Sequence, residues 1–81
     1  MPFFVYILKC KDDTLYIGST NDLERRLYQH NNLKSGAHYT KIRRPVELVY
    51  SKKMRSLSLA RKKEHVLKKL SRQEKLALIN P

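Results

Sequence analysis

Phe3-Phe4-Val5-Tyr6-Ile7-Leu8, the polar stretch Lys11-Asp12-Asp13-Thr14, and then Leu15-Tyr16-Ile17-Gly18-Ser19 decide how the rest of this chain is read. The first run is apolar and rich in β-branched and aromatic residues, which marks a buried strand. The middle stretch has turn chemistry, and the third returns as the second strand of a hairpin. Tyr6 and Tyr16 then lie on neighbouring strands.

Beyond the hairpin, Thr20, Asn21 and Asp22 offer N-caps for a helix that runs to about Asn32, with Asp22 and Glu24 complementing its positive end. At helical spacing Leu23, Arg26, Leu27 and His30 share one stripe. An ordinary surface helix would carry apolar residues where Arg26 and His30 stand. Lys34 to Pro45 forms a basic loop with Gly36, His38, Tyr39, Lys41, Arg43 and Arg44. Val46 to Tyr50 alternates as a third strand, and Ser56 or Ser58 caps a second helix reaching Leu70. Ser71 and Glu74 have capping-box spacing for a short last helix ending near Ile79. The order β-β-α-β-α-α predicts an α+β fold, a small, largely antiparallel three-stranded sheet flanked by helices.

At 81 residues, the chain is expected to form a single domain, close to the lower size limit for an unstapled core. No apolar run is long enough for a membrane span, and no signal peptide is read at the N-terminus. Cys10 is the one cysteine, so neither an internal disulfide nor a cysteine metal site is available. These readings fit a cytoplasmic protein, with Cys10 as a small apolar strand residue. Lys and Arg number 18 against 7 Asp and Glu, for a net charge of +11. Such an excess points first to nucleic acid and only weakly to a membrane surface. Charge alone does not separate an enzyme from a passive binder.

The residues with chemical reach are few. Glu64 sits at the edge of an apolar helix stripe among Arg61, Lys62, Lys63, Lys68 and Lys69. It reads either as an i,i+4 partner of Lys68 or as a hard oxygen ligand for Mg²⁺, which takes one or two carboxylates plus water and phosphate oxygens. Glu47 is the alternative ligand; the other acids belong to turns and caps. Arg26 and His30, at i,i+4, read either as a solvent arginine and a core histidine or as a pair for phosphate and proton handling. A phenol titrates near pH 10, so base work by Tyr6 or Tyr16 needs a metal or a nearby cation. Tyr28, Tyr39 and Tyr50 read as packing or stacking residues, and His65 as a surface residue.

Taken in order, these residues resemble the GIY-YIG nuclease superfamily over nearly the whole chain, from Tyr6 to at least Leu78. The second half-motif is intact as Tyr16-Ile17-Gly18, while the first, Val5-Tyr6-Ile7, keeps the tyrosine without the preceding Gly-Ile. Arg26 and His30 match the helix motif, and Glu64 matches the metal-binding glutamate of a later helix. The chain looks most like the short, stand-alone bacterial members. The resemblance implies a metal-dependent endonuclease, acting on DNA in preference to RNA, with a role in repair or recombination. It implies one Mg²⁺ or Mn²⁺ ion on Glu64, phosphate stabilisation by Arg26, and a tyrosine that helps deprotonate water, with Tyr6 and Tyr16 unranked. Relatives usually carry a further recognition domain, so a protein partner supplying specificity is implied. Ser19 stands where some relatives have lysine, and Asn80 is the late candidate for the asparagine that ends some sites. Nucleic acid is expected to meet Lys41, Arg43 and Arg44 of the loop and Lys62, Lys63 and Lys68 of the later helix. The other reading is a non-catalytic, basic nucleic-acid-binding module on the same fold.

Overall fold

In the computed structural model, which describes residues 2–32, 40 and 42–80, β1 (Phe3–Lys9) is the middle strand. It pairs antiparallel with β2 (Leu15–Thr20) on one side and β3 (Glu47–Met54) on the other. Helix α1 (Leu23–Asn32) follows β2, and α2 (Leu57–Lys68) and α3 (Arg72–Ile79) follow β3. The α+β architecture and element order agree with the sequence reading.

Local chemistry explains where each element starts and stops. The hairpin turn closes through Cys10 N–H to Thr14 O and Asp13 N–H to Cys10 O, both at 2.9 Å. Asp13 takes a left-handed φ of 67°, which a short polar side chain tolerates. Asp12 Oδ1 accepts from the Thr14 backbone N–H and hydroxyl. Of the three offered caps for α1, Asp22 serves, accepting from Arg25 N–H at 3.1 Å. Ser56 caps α2, accepting from Leu59 N–H. Ser71 and Glu74 form the expected reciprocal capping box on α3.

Two boundaries differ from expectation by more than one residue. Helix α2 ends at Lys68 rather than Leu70, because Leu70 turns inward to the core instead of continuing the spiral. Strand β3 runs to Met54, beyond the expected end at Tyr50. Its polar run Ser51-Lys52-Lys53 breaks the alternation that marks a strand, yet β1 offers a full ladder: Tyr6 pairs Ser51, Val5 pairs Lys52 and Phe4 pairs Lys53. Exposed lysines on an edge strand also discourage pairing with another sheet.

The sheet has a core on each face. Val5, Ile7 and Ile17 pack with Leu67 of α2 and, around them, Leu70, Leu78 and Ile79. On the opposite face Tyr6, Leu8, Cys10 and Val46 form a second cluster against Leu23 and Leu27 of α1. Side chains alternate across a strand, so one residue of register decides which cluster each joins.

Candidate active site

The register Tyr6↔Gly18 and Leu8↔Tyr16 puts both tyrosines on the α1 face of the sheet, with ring centroids 6.5 Å apart. Gly18 lies beneath the Tyr6 ring. A Cβ there would stand 2.4 Å from the Tyr6 hydroxyl and 2.7 Å from Cζ, too close for any side chain. The glycine of the second half-motif is therefore the floor on which the tyrosine of the first one rests. Tyr16-Ile17-Gly18 stands intact in the sequence, but the steric role of its glycine follows from the strand register.

Helix α1 brings His30 over this pair. Its Nε2 lies 2.9 Å from the Tyr6 hydroxyl and its Nδ1 lies 2.8 Å from Thr40 Oγ1. The imidazole also meets the Tyr16 ring edge-on, with centroids 5.1 Å apart. His30 and Thr40 are fully buried. Arg26, one turn earlier, donates from Nη1 to Gln29 Oε1 at 2.9 Å, and its guanidinium lies near enough to the Tyr6 phenol to favour the ionised form. Tyr6, Tyr16, Arg26 and His30 thus form one cluster. Thr40 and Gln29 belong to it too, and neither stands out in the sequence: Thr40 lies in the stretch expected to be a basic loop, although the residue itself is helical, and Gln29 is an ordinary helix residue.

Electrostatics set the protonation states of the two buried members. Burial pushes the Tyr6 phenol up to about 12; the nearby Arg26 guanidinium opposes this without offsetting it, and the Glu64 carboxylate adds to the rise. Burial, followed by the charges of Arg26 and Arg44, brings His30 down to about 4. At neutral pH the pair is a neutral phenol against a neutral imidazole. Tyr16 is only half-buried, so it is the phenol with access to solvent.

Glu64 approaches from the other face. Ser19, paired with Val5 and so on the α2 side of β2, donates from Oγ to Glu64 Oε1 at 2.8 Å. Lys68 Nζ donates to Oε2 at 2.7 Å. β2 is an edge strand, and Glu64 remains near enough for its charge to act on Tyr6. The candidate site therefore straddles the β2 edge, with Gly18 facing one half and Ser19 the other. The i,i+4 contact with Lys68 is made, and the same carboxylate accepts from Ser19 on the β2 edge. Glu47, the alternative ligand, is exposed and pairs with Lys9 at the far end of β1. Asn80 is exposed and ends α3, which packs on β3, the opposite edge of the sheet.

Among the described residues, no three His, Cys, Asp or Glu side chains gather at one point. A half-buried carboxylate beside a serine hydroxyl is a hard-oxygen set open to solvent. It fits a Mg²⁺ or Mn²⁺ ion that retains most of its water, provided Lys68 releases Oε2.

The basic residues expected to meet nucleic acid differ in what they touch within the fold. Lys41 lies outside the described residues. Arg43 Nε donates to Asp12 Oδ2 at 3.0 Å and ties its loop to the hairpin turn. Arg44 donates to the carbonyl oxygens of His30 and Gln29, the acceptor-rich end of α1. Both serve as joinery as placed. Lys62 and Lys68 are exposed and Lys63 is half-buried on α2, and Lys69 is exposed just past its end, so these side chains present positive charge to solvent. His65 is exposed, as expected.

A profile of the GIY-YIG catalytic domain matches residues 2–77. The UPF0213 protein of Staphylococcus saprophyticus is 52% identical over 77 residues, 95% of this chain and 93% of that protein. That of Syntrophus aciditrophicus is 55% identical over 76 residues, 94% of this chain and 87% of its own length. The solution NMR structure of the UPF0213 protein of Bacillus halodurans superposes with a TM-score of 0.61 at 40% identity, covering 98% of this chain and 83% of that one.

Proposed function

Because the chain belongs to the GIY-YIG catalytic-domain family, a family of nuclease type, we propose that it is a single-domain, metal-dependent endonuclease of the cytoplasm, cutting DNA in preference to RNA during repair or recombination. The observation that carries this is the clustering of Tyr6, Tyr16, Arg26 and His30 over Gly18, with Glu64 beside them at the β2 edge. Arg26, half-buried and held by Gln29, offers guanidinium donors to a phosphate oxygen and stabilises charge that grows on it in the transition state. Tyr6 is kept protonated by its burial and serves as a fixed hydrogen-bonding phenol. Tyr16 has access to solvent and is the phenol that assists an attacking water. Glu64 would hold a Mg²⁺ or Mn²⁺ ion, which supplies Lewis-acid activation and charge neutralisation at the phosphate.

Glu64→Ala tests the reading. Purified protein is incubated with branched, single-stranded and duplex substrates, with and without Mg²⁺ or Mn²⁺. The variant should stay folded and lose metal-dependent cleavage; unchanged cleavage by a folded variant would sink the assignment. Lys68 resting on Glu64 and serine at position 19 favour a second reading, a non-catalytic binding module that needs a protein partner for any activity. In that case the wild-type protein binds nucleic acid with a steep salt dependence and cuts none of the substrates.

A further inference from the structure

The buried hydroxyls on either side of His30 fix more than its position. The single proton of the buried Tyr6 phenol needs an acceptor, and the nearby Arg26 guanidinium, which can only donate, offers none. Among the described residues, the acceptor within hydrogen-bond distance is His30 Nε2, at 2.9 Å. Tyr6 is 2% exposed, so leaving that O–H without a partner would be costly. An Nε2 that accepts is bare, and a neutral imidazole then carries its proton on Nδ1. Nδ1 faces Thr40 Oγ1 at 2.8 Å, itself fully buried.

We propose that Thr40 is a positioning residue: by accepting from Nδ1–H it holds His30 in the tautomer whose Nε2 receives the Tyr6 proton. The chain runs Tyr6 O–H to Nε2, then Nδ1–H to Thr40 Oγ1. Thr40 touches no reacting atom. Its effect passes through His30 to the orientation of the Tyr6 hydroxyl, and through that to the oxygen lone pairs facing Arg26. A histidine ring is commonly oriented by the partner of its second nitrogen. Thr40 supplies that partner from a position that sequence periodicity does not single out.

The consequence for cleavage rests on the nuclease reading, but the tautomer does not. The test uses nitrogen-15 NMR of the imidazole in a chain carrying His38→Gln and His65→Gln, so that His30 is the one histidine. At neutral pH Nδ1 should be protonated and Nε2 bare. Thr40→Val, similar in shape without the hydroxyl, should shift the ring toward the Nε2–H form, and Thr40→Ser should restore the original state. Cleavage should fall about ten- to a hundred-fold in the valine variant, the usual cost of losing an orienting partner, and recover in the serine variant. An Nε2–H ring in the unsubstituted Thr40 protein would overturn the proposal whether or not Thr40→Val folds. So would a folded valine variant whose tautomer is unchanged. Absence of cleavage in every form would instead sink the nuclease reading and leave the tautomer result standing.

Discussion

Where Gly18 has no side chain, the ring of Tyr6 takes the space. Gly18→Ala must push the phenol off its floor, against the hydrogen bond that ties its hydroxyl to His30. The expected cost is about 1–3 kcal/mol of stability, the usual range for an extra methyl in a filled site. Denaturant unfolding should show the loss, together with a changed imidazole signal from His30. Full stability and an unchanged His30 environment would mean that the ring relaxes freely. Arg26 makes a parallel case. Arg26→Lys keeps the charge but loses the planar fork that donates to Gln29 and can hold a phosphate through two parallel bonds. Cleavage should not be rescued, with a barrier about 2–4 kcal/mol higher by analogy with loss of one preorganised donor. Near wild-type turnover would show that only positive charge is needed.

At the scale of the element, helix α2 carries both Glu64 and the lysine that occupies it. The Lys68 to Glu64 contact is an i,i+4 pair with the lysine more than half exposed, so Lys68→Met should change stability by less than about 0.5 kcal/mol. Glu64 Oε2 would be free, and less Mg²⁺ should be needed for half-maximal cleavage. Lys69→Met removes the same charge one position away and serves as the control. Equal metal requirements in the two variants would show that Lys68 acts only through its general field. The elements themselves were readable because each carries a local signal: alternation in the hairpin, a capping aspartate before α1, a capping box before α3. β3 beyond Tyr50 was not, since Ser51-Lys52-Lys53 is held by the ladder of β1 rather than by its own pattern. The same contrast runs through the site. Tyr6, Tyr16, Arg26, His30 and Glu64 stand out as residue types in an ordered motif. Thr40, Gln29 and the supporting place of Ser19 depend on which segments and which sheet face meet in space.

The whole molecule feels the buried imidazole through its acid stability. In the unfolded chain His30 takes up a proton near its ordinary value of 6.5, whereas in the folded protein it resists until about pH 4. Between these values the unfolded state binds more protons, so stability falls as pH drops from about 6.5 to 4. The loss is on the order of 3 kcal/mol. Urea unfolding across that range should show it, and His30→Gln should flatten the response. At the alkaline end Tyr6 behaves oppositely. The unfolded phenol ionises near 10 and the folded one near 12, so stability declines as pH rises between them.

The strand order β2-β1-β3 also bears on how the chain is made. β1, the earliest of the three strands to be synthesised, ends up in the middle. β2 follows it closely and covers one side as a local hairpin, but β3 comes only after α1 and the residues between them. Until then a growing chain presents the other side of Phe3-Phe4-Val5-Tyr6-Ile7-Leu8, an uncharged, β-favouring segment of the kind that pairs with copies of itself. A fragment stopped before Glu47 should therefore cluster on the ribosome or in refolding buffer, while the chain carried through Met54 does not. The lysines that close β3 then face outward and leave the finished sheet an edge that other chains do not readily join.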